Sequence, residues 1–226
     1  MIPPIEPIRE YIEGIGYDAL IESILMLISA LVCVTAFKVY QITKANNTKM
    51  LSLGFLMLTV AYAAVAAGNL TLFLQRTVFV REEFFYIIHF SYLFAKTLGI
   101  LTLATIPLKI TDWRIYGLLS FLALIGIYTS TAHLVLYQAM ILVFYAIIIF
   151  GYIQAYLAKH NKNTLLLAIG FGLLAVASVA YMFLDEGFAV YILGHILEFA
   201  GYAFILATLL FAYTFQHETR KTSNHP

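Results

Sequence analysis

Apolar residues in this chain come in long runs, not in the alternation of half-buried strands. From about residue 20 onward, seven runs are long enough to cross the roughly 30 Å of bilayer hydrocarbon as helices. We place them at 20–42, 50–74, 84–108, 114–130, 134–157, 164–184 and 188–213. The joints carry Asn46 and Asn47, Asp112, Asn161 to Asn163, and Asp185 to Gly187. No Asp, Glu, Lys or Arg occurs between Ile115 and Ala158, a stretch too long for one crossing. The polar cluster Thr129, Ser130 and Thr131, followed by His133, divides it into a short fourth segment and a longer fifth.

The first 18 residues differ. Ile5, Ile8, Ile12 and Ile15 recur at helical spacing opposite Glu6, Arg9, Glu10 and Glu13. That pattern predicts a short amphipathic helix on the membrane surface, an anchor or a lid. Three parts are therefore expected: a surface segment at 1–18, a seven-helix transmembrane domain at 19–216, and a tail at 217–226. The acidic, proline-broken start does not fit a cleavable signal peptide.

Composition fixes the class. The chain is 62% hydrophobic and 11% charged, with mean hydropathy +0.91. Soluble domains run near 45–50% apolar and about 25% charged, so this is an all-α integral membrane protein. Net charge of +1 gives no support for nucleic-acid binding. The single cysteine, Cys33, allows no intrachain disulfide and no cysteine-based zinc motif. Lys38, Lys44, Lys49, Lys109, Arg114, Lys159, Lys162, Arg220 and Lys221 fall on one side of the predicted membrane, against Arg9, Arg76 and Arg81 on the other. The basic side is cytoplasmic by the positive-inside rule, which puts the N-terminus outside and the C-terminus inside.

Candidate chemistry is confined to two helical stripes. Tyr191, His195, Glu198 and Tyr202 share one face of the seventh segment, and His89, Tyr92 and Lys96 share one face of the third. A charged side chain at a bilayer centre costs about 2.5–3.5 kcal/mol on insertion scales, so such groups face inward and pair. At about 1.5 Å per residue, Lys96 and Glu198 fall near the midplane, about 18 and 15 Å deep. His89, His195 and Asn69 form a shallower layer at about 8–10 Å. Lys96 and Glu198 are expected to meet, with Asn69, His89, Tyr92, Tyr191, His195 and Tyr202 lining a ligand site around them. Tyr128, Tyr137, Tyr145, Tyr152 and Tyr156 read as interfacial or packing residues.

GFLMLTVAY at 54–62 and GFGLLAVAS at 170–178 agree at five of nine positions, and His89 aligns with His195. Two three-helix units joined by a linker helix, a 3+1+3 parallel repeat, fit that order. The plan resembles microbial rhodopsins and the SWEET sugar transporters. The residues depart from both: the seventh segment holds Glu198 where rhodopsins carry their retinal lysine, and Pro107 is the only proline within the seven segments.

Several chemistries suit the same groups. His89, His195 and Glu198 are a candidate metal set for an intramembrane hydrolase. His89 and His195 are candidate haem ligands. Lys96, with Glu198 as counter-ion, is a candidate Schiff-base lysine. None of these identifies a cofactor. The expected function is a receptor- or sensor-like module binding a small or lipophilic ligand in an outward-facing cavity. Its partners would be membrane lipids and a cytoplasmic signalling protein or a second copy. A transporter or proton-coupled carrier using Lys96 and Glu198 as a relay is the first alternative, and the metal-dependent hydrolase the second.

Overall fold

In hydrocarbon a backbone segment must satisfy its own hydrogen bonds, which makes the apolar runs helical. The computed structural model describes residues 5–75, 82–110, 112–130, 134–183 and 188–223, with side chains described over 17–74, 86–110, 112–128, 135–183 and 189–215. Its helices are α1 (Ile5–Thr43), α2 (Asn46–Gln75), α3 (Glu82–Leu108), α4 (Trp113–Ser130), α5 (Leu134–Lys159), α6 (Lys162–Met182) and α7 (Phe188–Ser223). Among the described residues, six are long and apolar enough to cross a membrane, and the apolar part of α4, Trp113–Tyr128, is shorter. Thr131 and His133 in the expected hairpin, Arg76 and Arg81, and the joint at 185–187 lie outside the described residues.

Two ends differ from expectation. The surface helix expected at 1–18 is not separate, because α1 runs unbroken through its 39 residues. At about 1.5 Å per residue that is roughly 58 Å, far longer than the hydrocarbon, so α1 extends well beyond one crossing. Likewise α7 continues to Ser223, into the segment expected as a tail.

The helices close into a ring. Neighbours around it are α1, α2, α3, α5, α6 and α7, with α7 returning against α1, while α4 lies outside and touches α3 and α5. Phe55, Leu58, Ile100, Leu103, Tyr145, Ile148, Phe171 and Ile205 fill the interior. Leu20, Ile24, Leu27, Leu31 and Val34 form an exposed apolar stripe on α1, and Leu118, Phe121, Leu122 and Ile125 do so on α4. Apolar faces turned outward on helices this long belong against lipid.

Glycines set the closest crossings. A Cβ on Gly99 of α3 would lie 2.9 Å from the Gly54 carbonyl of α2, and a Cβ on Gly54 would strike Leu103. A Cβ on Gly201 of α7 would lie 3.0 Å from the Gly170 carbonyl of α6, and one on Gly170 would strike Ile205. These pairs hold the two crossings at backbone contact.

Polar joints cap the helices. The Asn161 side chain accepts from Asn163 N at 3.0 Å at the start of α6, and Asp112 accepts from Arg114 N at 2.8 Å at the start of α4. Lys44, Lys109 and His160, at the ends of α1, α3 and α5, adopt φ of 55°, 52° and 48°. Side chains with a Cβ are disfavoured there and glycine is not. Lys44→Gly and His160→Gly are each expected to raise stability by about 0.5–1 kcal/mol in reversible denaturation. Loss of stability in both would show that these side chains contribute more than the strain costs.

Candidate functional site

At the centre of the ring Lys96 of α3 and Glu198 of α7 meet, Nζ to Oε1, at 2.9 Å. Both are buried, with side chains 6% and 5% exposed. Helical geometry places them: each lies on the inward face of its helix, and the ring leaves no lipid between them. Buried ions need every lone pair and proton answered.

Tyrosines supply most of the answer. Tyr62 of α2 donates to Glu198 Oε1 at 2.5 Å, and Tyr181 of α6 donates to Oε2 at 2.9 Å. Tyr202 lies 2.7 Å from the Tyr62 hydroxyl. Since the Tyr62 proton goes to Glu198, Tyr202 is the donor in that pair. Lys96 also donates to the Tyr92 hydroxyl at 3.0 Å. Its ammonium lies 5.4 Å from the ring centres of Tyr62 and Tyr92 and 5.9 Å from that of Tyr181, cation–π distances. Four helices therefore converge on one ion pair.

His195 joins at the edge. Its Nδ1 is 2.9 Å from the Tyr181 hydroxyl but 3.9 Å from Glu198 Oε2, so Tyr181 mediates the contact. With the Tyr181 proton committed to Glu198, the imidazole donates from Nδ1, which leaves Nε2 as the acceptor of a neutral ring. The Tyr191 ring stacks edge-on against His195 at 4.5 Å, and its hydroxyl donates to Asp18 of α1 at 2.5 Å. A polar file thus runs from Asp18, near the start of the first span, through Tyr191, His195 and Tyr181 to the charge pair.

Glu22, one turn further along α1, is 9% exposed, and its Oε2 has no hydrogen-bond partner. On the same seam, α1 and α7 leave an apolar groove of about 330 Å³. Ile21, Ile24, Leu25, Ile192, Ile196 and Phe199 line it together with His195, and the surface they present is apolar.

Not every expected residue is in this set. The structure brings together Tyr92, Lys96, His195, Glu198 and Tyr202, with Tyr191 one contact away. His89 is exposed and packs on Tyr92, ring centres 6.4 Å apart. Asn69 is half-buried on α2 and takes no part in the bonds around Glu198. His89, His195 and Glu198 do not assemble as metal ligands, and no three His, Cys, Asp or Glu side chains do so among the described residues. The Glu198 oxygens are instead taken by Lys96, Tyr62 and Tyr181.

Tyr62, Tyr181, Asp18 and Glu22 were missed by sequence reasoning. A phenol inside an apolar run was the available signal, because a buried Tyr hydroxyl needs a partner. The chain matches no family model, no curated protein and no solved structure, so its functional reading rests on these residues alone.

Proposed function

We propose that this protein is a seven-span membrane sensor. It takes a lipophilic ligand at the α1–α7 seam and reads it through the Lys96–Glu198 pair. One observation carries the reading: His195 lines the apolar groove and is bonded to Tyr181, whose hydroxyl donates to Glu198. A ligand that tilts the imidazole changes the hydrogen bonds of a buried carboxylate two contacts away. Signalling passes to a cytoplasmic partner or a second copy, with the N-terminus outside and the C-terminus inside, as the basic joints indicate.

Polarity along the bundle supports a sensor over a conduit. Among the described residues the buried charged side chains are Glu22, Lys96 and Glu198. Beyond them, on the side where α1 ends, Thr97, Thr102 and Thr208 donate to carbonyls of their own helices. Among the described residues no charged side chain is buried on that side, whereas the charge pair and Glu22 lie toward the other.

The carrier reading keeps one specific observation in its favour. If the chain is a 3+1+3 repeat, the glycine crossings pair Gly54 with Gly170 and Gly99 with Gly201. Lys96 and Glu198 each stand three residues before the second glycine of their crossing, so the ion pair would join equivalent sites of two units. That register is one helical turn from the one aligning His89 with His195. Carriers use such an interface between units as their moving part. Proteoliposome uptake that depends on Glu198 would move the assignment to that class.

The sensor reading is tested with dodecanol as probe and Ile196→Trp, which fills the groove. In neutral nanodiscs the probe is expected to raise the unfolding midpoint of the parent by several degrees and to leave that of Ile196→Trp unmoved. Equal shifts in both would show that the groove is not the site.

A further inference from the structure

Charge is unevenly placed along the first two helices. From Ser23 to Arg81 the sequence holds no Asp or Glu, while Lys38, Lys44 and Lys49 cluster about the α1–α2 joint. All three lysines are exposed, and no carboxylate pairs with any of them among the described residues. The Lys44 ammonium folds over the Tyr40 ring, 5.7 Å from its centre. At this end of the bundle α1 and α2 leave an apolar groove of about 340 Å³. Val34, Phe37 and Tyr40 of α1 and Leu53 and Leu56 of α2 line it, and Lys49 stands in its wall nearest the joint. Its other two members, Cys33 and Ser52, turn their polar atoms on each other: the Ser52 hydroxyl donates to the Cys33 carbonyl at 3.1 Å and lies 3.6 Å from the sulfur. The surface left to a ligand is therefore apolar, and from Cys33 to Tyr40 it follows α1 for about 10 Å.

We propose that this groove seats an acyl chain of an anionic phospholipid, with the lipid phosphate at Lys44 and Lys49. The two parts of such a molecule match the two parts of the site. The groove takes hydrocarbon and offers nothing to a polar group. Lys49 gives its aliphatic stem to the wall and, being exposed, carries its ammonium out at the mouth, where headgroups lie. Lys44 holds a second ammonium over Tyr40, itself a wall of the groove. A zwitterionic lipid brings its own cation to these two, whereas an anionic one brings net negative charge to a joint without carboxylates. Each lysine near a membrane surface favours anionic lipid roughly fivefold in affinity. Free phosphate would meet the ammonium groups and leave the groove empty. The site lies toward the other end of α1 from the α1–α7 groove and is independent of the sensor reading.

The experiment titrates the full chain in a nonionic detergent with phosphatidylglycerol or with phosphatidylcholine of the same acyl chains, taking apparent affinity from the rise in unfolding midpoint with concentration. Phosphatidylglycerol is expected to bind at least about tenfold more tightly. Lys44→Gln combined with Lys49→Gln should remove that preference and leave the lipid-free midpoint in place, which shows that the variant is folded. Lys159→Gln combined with Lys162→Gln, at the α5–α6 joint, is the control for general surface charge and should keep the preference. As a check that needs no variant, phosphatidylglycerol with a diazirine in one acyl chain should label the parent on α1 around Phe37 or on α2 around Leu53. Equal affinity for the two lipids, a preference that survives loss of both lysines or falls as far in the control, or labelling confined to other helices overturns the proposal.

Discussion

Glu198→Gln and Lys96→Met are each expected to destabilise the bundle by about 3–5 kcal/mol, because each strands a buried charge. Glu198→Gln leaves the Lys96 ammonium with the Tyr92 hydroxyl and three aromatic faces. It also leaves Tyr62 and Tyr181, which donate to different oxygens of Glu198, with a single amide oxygen, because the amide nitrogen cannot accept. Lys96→Met leaves Glu198 with its two tyrosine donors and no counter-charge, in an interior where water cannot compensate. The double variant, with Met facing Gln, removes both ions and is expected to recover much of the loss. Reversible unfolding in mixed micelles gives all three values. Losses that add to within about 0.5 kcal/mol would mean that the two groups do not act as a pair.

What could be read from the sequence follows the sharpness of each physical signal. An ammonium and a carboxylate inside apolar runs are costly wherever they are put, so Lys96 and Glu198 drew attention to their helices and to each other. Tyr92 and Tyr202 came with them by helical spacing. His89 sits on the same stripe but faces outward, because a stripe fixes direction around a helix and not whether a neighbour covers it at that height. Tyr62 and Tyr181 give no such signal. A tyrosine is equally at home in an interfacial belt, in packing or in a network, and only the arrangement of helices separates the three uses. Tyr137 and Tyr145 turned out to be core residues, 2% exposed each. Glu22 reads in sequence as one more charge near a helix entrance. Its burial depends on α1 closing against α7, the contact furthest apart in the chain and therefore the least visible in local pattern.

The same limit applies to the seam between α3 and α5, which supports the second large effect. Gly151→Ala is expected to cost about 3 kcal/mol, at the upper end for overpacking by one methyl group. A Cβ at residue 151 of α5 would collide with the Cβ of Pro107 and lie 3.2 Å from its Cα. A flexible side chain could swing away from such a contact, but the Pro107 carbon belongs to a ring locked to the α3 backbone, so the helices themselves must separate. That contact lies on the seam where α3 meets α5, and α3 carries Lys96, so separation also strains the charge pair. Gly117 and Gly172 provide the control, since a Cβ at either meets nothing within 4 Å. Gly117→Ala and Gly172→Ala are expected to be neutral or to stabilise by up to about 1 kcal/mol through loss of backbone freedom in the unfolded chain. Adding Pro107→Gly to Gly151→Ala removes the colliding carbon and should restore much of the lost stability. If Gly151→Ala unfolds at the same denaturant concentration as the parent, α3 and α5 do not approach this closely and the ring is closed in some other way.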